Sequence, residues 1–230
     1  MTKLLALELA DLAALGFFVV VWLALEITVN HSPLRYRSLS GLMARRRREW
    51  MLVLAEREIR IVDATILAGL QQGAAYFGTA SMLAIGGCFA ALGATDEALR
   101  LFEDIPVIDA ISRVVFELKL AGLTLIFVYA FFKFGWSYRL FNYCSIIIGA
   151  VQQPEETDRE TRVKQALRAG EMNTIAGKHF TAGQRSLFMA LAYLGWFAGP
   201  EVFAVTTIAV ALVLIRRQFF SNARQLLMRD

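Results

Sequence analysis

The residues of this chain with the means to do chemistry are few: two histidines, two cysteines and a set of charged groups at the edges of apolar runs. His31 and His179 could ligate a metal or haem, but neither lies at a ligand spacing from another histidine, cysteine or carboxylate. Hydrogen bonding at a membrane surface is the expected role for both. Cys88 and Cys144 stand singly in apolar stretches, with no CxxC or CxxCH, and read as small buried residues. Glu26, Asp63, Glu117, Lys119 and Glu201 fall at or near the ends of apolar runs, where a charge can still reach water. Glu117 and Lys119 are two residues apart and so point to different faces of a helix. Asp63 lies two turns ahead of Gln71 and Gln72. These three mark a candidate path for a cation or proton, set against the weightier alternative of hydrogen bonding between helices. No nucleophile elbow, P-loop, HExxH or dinucleotide fingerprint occurs, so neither a catalytic centre nor a cofactor is expected.

Arginine supplies the other candidate chemistry. Arg45, Arg46, Arg47 and Arg48 are consecutive, Trp50 follows, and Arg37, Arg139 and Arg185 each adjoin an aromatic or apolar stretch. Such a belt orients spans and meets anionic lipid head groups, and the guanidinium fork suits phosphate or a docking partner. A head-group site built on Arg37, Arg46, Arg139 and His179 is the sharpest form of this reading. The formal charge of +4 does not indicate nucleic acid, because the basic residues flank apolar spans instead of forming a stripe of their own.

The elements that position these groups are membrane helices. With 57% hydrophobic and 19% charged residues, the charge being clustered, 230 residues are too apolar to fold as a soluble domain. The pattern predicts an all-α polytopic transmembrane bundle of about five spans with cytoplasmic amphipathic helices. Spans are expected near 10–29, 62–92, 115–134, 186–198 and 202–216, with inner segments 30–61 and 135–185 and an outer segment 93–114. His31-Ser32-Pro33 ends the first helix. Leu42, Met43, Trp50, Val53, Leu54 and Ile61 then recur at three- and four-residue steps, predicting an interfacial amphipathic helix that feeds the second span. In that span Gly69 and Gly73 make a small-xxx-small spacing, extended by Ala74, Gly78 and Met82, suited to close helix packing. The third span continues its pattern through Trp136, Tyr138, Arg139 and Tyr143 to Gly149. Pro154 is expected to open the next helix and Gly170 to stop it.

Charge sets the orientation. Residues 30–60 hold eight arginines against three glutamates, whereas Asp96, Glu97, Glu103, Asp104 and Asp109 outnumber Arg100 and Arg113 in the outer segment. The N-terminus is therefore expected outside and the basic segments inside, in a bacterial cytoplasmic membrane. Ser186 to Ile215 would make about 45 Å of helix, interrupted by Gly199-Pro200-Glu201. Basic residues on both sides, Lys178 and Arg185 before and Arg216, Arg217 and Arg224 after, favour a hairpin with both ends inside.

Several motifs carry a family resemblance. Tyr36-Arg37, Gly41-Leu42-Met43-Ala44 and Arg47-Arg48-x-Trp50 resemble the GLNA-x-x-RR-x-W signature of the domain of unknown function 599 family, with Met43 where asparagine is usual. Phe132-x-Phe134-x-Trp136-Ser137-x-Arg139-x-Phe141-Asn142-Tyr143, Ile148-Gly149-Ala150, Asn173 to Phe180, Gly183-Gln184-Arg185 and Trp196-Phe197-x-Gly199-Pro200 extend the likeness over nearly the whole chain. The resemblance implies an integral membrane protein and carries no activity with it. The leading expectation is a non-catalytic accessory or scaffold subunit, or a homo-oligomer, whose partners are anionic lipids and other membrane helices. A small transporter or channel is the alternative, and an anionic-lipid-binding or lipid-modifying protein the third.

Overall fold

The structure is a computed structural model and describes residues 8–30, 32–103 and 112–228. His31, Asp104 and Asp109, and the side chain of Glu103, lie outside the described residues. The protein is an all-α bundle: α1 (Leu9–Asn30), α2 (Leu39–Leu54), α3 (Ile61–Gly93), α4 (Thr95–Glu103), α5 (Arg113–Gly149), α6 (Arg159–Leu194), α7 (Pro200–Phe219) and α8 (Asn222–Leu227). Among the described residues four helices are long and apolar enough to cross a membrane: Leu9–Asn30, Ile61–Gly93, Arg113–Gly149 and Pro200–Leu227.

Local sequence sets the boundaries. After α1 the Ser32 hydroxyl accepts from the Leu34 N–H and opens a tight turn over Pro33–Arg37. Ser38 caps α2 through the Gly41 N–H, at 3.1 Å. Pro154 does not open α6; Asp158 does, accepting from the Thr161 N–H and hydroxyl at 2.9 and 2.7 Å. A side-chain acceptor on an orphan N–H outcompetes a proline that offers only a preset φ. Nor does Gly170 stop α6, which runs on to Leu194. A Cβ on Gly170 would stand 2.8 Å from Met51 Cγ, so this glycine lets α2 approach α6 closely.

The final apolar run is a hairpin. α6 gives way to a turn over Gly195–Ala198, then Gly199 at φ 123°, then α7 with Pro200 in its first turn. Thr206 Oγ1 donates to the Ala192 carbonyl at 2.8 Å, and the Arg217 guanidinium lies 5.0 Å from the Phe188 ring, so the two arms run antiparallel.

Helices α3, α5 and α6 have 33, 37 and 36 residues, hence lengths of about 50, 55 and 54 Å. They support two cores at different heights. One, at the hairpin end, gathers Phe18 of α1, Leu123 of α5, Tyr193 of α6 and Phe203 of α7. The other, at the basic end, gathers Met51 and Leu54 of α2, Leu67 of α3, Phe141 of α5 and Ala166 of α6. Rather than lying across the ends of the spans, α2 packs lengthwise on α6, with Arg47 against Gly177 and Arg162 reaching the Ala55 carbonyl. Residues 55–60 separate it from α3. Apolar stripes hold each tier together.

Gly199 has a testable consequence. Its φ of 123° with ψ 163° belongs to a region open essentially to glycine alone. Gly199→Ala is expected to lower stability by about 1–3 kcal/mol, read as a reduced unfolding midpoint in detergent by circular dichroism. An unchanged midpoint would mean that the hairpin turn relaxes freely.

Candidate functional site

The basic end is organised around Asp63, in the first turn of α3. It is fully buried, and its Oδ1 accepts from Trp50 Nε1 at 2.6 Å and from Arg57 Nη1 at 2.7 Å. A buried carboxylate needs such partners, and the α3 N-terminus adds a favourable dipole. Its Oδ2 is buried without a hydrogen bond. Two turns on, Gln71 Nε2 donates to Asn142 Oδ1 and Ser145 Oγ of α5, each at 2.9 Å. Gln72 is exposed and points away from α5. Asp63 therefore joins α3 to α2, Gln71 joins α3 to α5, and Gln72 faces outward; no contact links the three into a path.

The sequence-marked arginines divide in the same way. Arg45 and Arg46 pair with Glu49 at 3.7 and 2.7 Å, and Arg48 is exposed. Arg47 turns inward onto the backbone of Gly177, where a Cβ would stand 2.6 Å from its guanidinium, and burial lowers its pKa. Arg185 binds Glu26 of α1 through Nη2 at 2.6 Å and Nε at 3.1 Å, and Asn30 holds the other carboxylate oxygen. Arg37 is exposed, with its carbonyl accepting from Arg224 Nε at 2.6 Å. Arg139 donates to the Tyr143 hydroxyl at 2.6 Å and lies 5.9 and 5.5 Å from the Trp136 and Tyr143 rings. His179 packs edge-on to Trp136, its ring centroid 6.4 Å away. Burial, then the charge of Lys133, lowers its pKa against the opposing pull of Glu26. Arg37, Arg46, Arg139 and His179 thus have separate partners and do not converge on one head-group site.

Three other arginines do the stitching. Arg57 pairs with Asp63; Arg60 donates to the Val151 and Gln152 carbonyls; Arg162 reaches the carbonyls of Ala55, Pro154 and Thr157. For Arg60 and Arg162 the signal in sequence was weak, since carbonyl acceptors at chain reversals are invisible before folding.

At the hairpin end is a cluster that sequence reasoning missed. The Trp196 indole N–H donates to Asp11 Oδ1; the Lys119 ammonium lies 3.4 Å from the same oxygen and donates to the Trp196 carbonyl at 2.8 Å. Asp11, Lys119 and Trp196 are 8%, 4% and 3% exposed. Each is a lone charge or amphipathic ring at the start or end of an apolar run, which was the available signal. Their pairing across α1, α5 and the hairpin turn is a purely tertiary fact. Among the described residues no group of three His, Cys, Asp or Glu could hold a metal ion.

On the α3 glycines the geometry is plain. A Cβ on Gly78 would meet Phe134 Cβ at 3.7 Å, whereas Gly69 and Gly73 have nothing within 4 Å. Gly78 serves the contact with α5; Gly69 and Gly73 face out of the bundle.

Lys119→Met and Asp11→Asn are each expected to cost about 3–5 kcal/mol, because each leaves an uncompensated buried charge. The double variant should recover most of that loss in thermal unfolding. Additive losses would mean that the pair contributes nothing as a pair.

No curated protein and no solved structure matches the chain. A family model described as a protein of unknown function, DUF599, matches residues 13–223. With nearly the whole bundle inside that match, from α1 to the start of α8, the chain belongs to the DUF599 family.

Proposed function

We propose that this protein is a non-catalytic subunit of the bacterial cytoplasmic membrane that works by binding another helical chain through the free face of α3, with its basic end in the cytoplasm. The carrying observation is an asymmetry at one height of the bundle. Below the level of Gln71, where Arg60 reaches the Gln152 carbonyl and the Gln152 N–H donates to Gln165, α6 presents exposed Lys164 and Arg168, a face suited to water. At that height α3 presents Ile61, Val62 and Ile66, which are 72%, 60% and 46% exposed. An apolar face at an aqueous level is the mark of an interaction surface.

Gly69, Gln72 and Gly73 continue this face toward the membrane. Glycines left unpacked weaken a helix for no return, whereas at a helix–helix contact they allow close approach. Exposed Gln72 adds a hydrogen-bonding group for a partner. The interior charges meanwhile act as structural ties: Asp63, Glu26 and Asp11 each hold a cation from another segment. The concentration of basic residues around α2 supports a cytoplasmic basic end.

The test is gentle extraction from native membranes, with the mass of the particle and its components read together. A stoichiometric partner or a second copy is expected. Gly69→Leu with Gly73→Leu should release the monomer, and Gln72→Leu should weaken association by about three- to fifteen-fold. A monomer from native membranes, unaffected by these changes, would overturn the reading.

A further inference from the structure

We propose that the flank of α3 and α5 away from Gly69 and Gly73 is a binding site for one anionic glycerophospholipid, whose acyl chain lies in a groove and whose phosphate is held by Arg139. The groove is lined by Ala75, Gly78 and Met82 of α3 and by Phe131, Gly135 and Tyr138 of α5. Its lining of small, aromatic and methionine side chains is mostly apolar, which suits a flexible hydrocarbon chain. It is open along one side, as a site filled from the bilayer must be.

The head-group end carries the charge. Arg139 follows Tyr138 in sequence and lies one helical turn from Gly135, on the adjoining face of α5. Among the described residues it forms no ion pair, in contrast to Arg185, Arg57 and Arg162, each held by a carboxylate. Its Nε is fixed by the Tyr143 hydroxyl, and the Trp136 and Tyr143 rings lie beside the guanidinium plane. That arrangement orients the fork while leaving both Nη groups without a carboxylate. A phosphodiester matches such a fork in geometry and charge. Trp136, Tyr138 and Tyr143, 47%, 42% and 36% exposed, provide the amphipathic rings typical of the head-group level. The chemistry of Arg139 alone would also accept free phosphate; the adjoining apolar groove is what commits the site to a lipid.

The site does not rest on the helix-association reading. Ala75 and Met82 lie on one flank of α3, Gly69 and Gly73 on the opposite one.

The experiment uses the full-length protein in nanodiscs of phosphatidylcholine containing a minor fraction of phosphatidylglycerol, with bound lipid counted by native mass spectrometry. One phosphatidylglycerol is expected to be retained per chain. Arg139→Gln should reduce its retention about five-fold, the effect of one basic group at an anionic surface. Arg139→Lys should restore part of the loss. Gly135→Leu should displace the lipid with Arg139 intact; a Cβ at Gly135 meets nothing within 4 Å, so this variant should fold. Added inorganic phosphate should not compete. Retention unchanged by both Arg139→Gln and Gly135→Leu would overturn the proposal. So would competition by inorganic phosphate, which would make this a simple anion site. A change of particle mass with Gly135→Leu, without lipid loss, would give the groove to a second protein chain and equally overturn it.

Discussion

Helix length governs this molecule. A hydrocarbon core of about 30 Å cannot contain a straight helix of about 55 Å unless it tilts by about 57°, beyond the ordinary upper range of about 40°. Helices α3, α5 and α6 must therefore emerge from the bilayer, and their emergent parts need their own cover. The fold meets this with two shorter helices in tandem. α1 covers the hairpin-end tier alongside α7; the Pro33–Arg37 turn then lets α2 cover the basic-end tier. Gln218 of α7 reaches Ser40 at the start of α2, so α7 ends where the second tier begins.

Polar pairs fix the register of the two tiers. Within the bilayer lipid gives no hydrophobic drive between helices, so packing shape and interhelical bonds must set how far one helix slides on another. In the emergent tier apolar burial adds its drive, and the polar ties fix the register. Asp11 with Lys119 and Trp196 sets α1 and α5 against the hairpin turn; Glu26 with Arg185 sets α1 against α6; Asp63 with Trp50 and Arg57 sets α2 against α3. Each pair has at least one buried member, so the pair adds little net stability while losing the partner of the buried charge is expensive; they specify an arrangement more than they strengthen it. Charges committed to such duty leave few groups free for chemistry inside the bundle. The free face of α3 and the groove between α3 and α5 remain open, and both functional proposals are built on them.

Much of this was legible in the sequence, for identifiable reasons. Proline after His31-Ser32, the apolar run of α3, the continuation of α5 to Gly149 and the Gly199-Pro200 break are local signals read by local rules. The same rules misplaced the start of α6, because Pro154 is a permissive signal whereas the Asp158 cap is a bond. They also failed at Gly170, whose reason for being glycine is Met51, more than a hundred residues earlier. Residues 159–185 fall in the segment 135–185 read as inner and mixed in charge, and they form the first three-quarters of α6: only one stripe of it faces α2 and α5, and that stripe is built of Ala166, Ala169, Asn173 and Ala176. Small residues give weak periodicity, so a helix packed by close approach hides from hydropathy. The site residues fared likewise. Arg185 was marked in the sequence, but its partner Glu26 was 159 residues away and could not be assigned.

The claim that the basic-end tier stands outside the hydrocarbon core is the one on which the rest depends. It is tested most directly by spin labels placed singly at Leu125, a lipid-facing position at 68% exposure, and at exposed Lys164. Relaxation by oxygen and by a polar nickel complex would be compared in the same bilayer. The account predicts that oxygen dominates at Leu125 and the nickel complex at Lys164. An oxygen-dominated signal at Lys164 would place α6 within the membrane along its whole length and contradict the two-tier description.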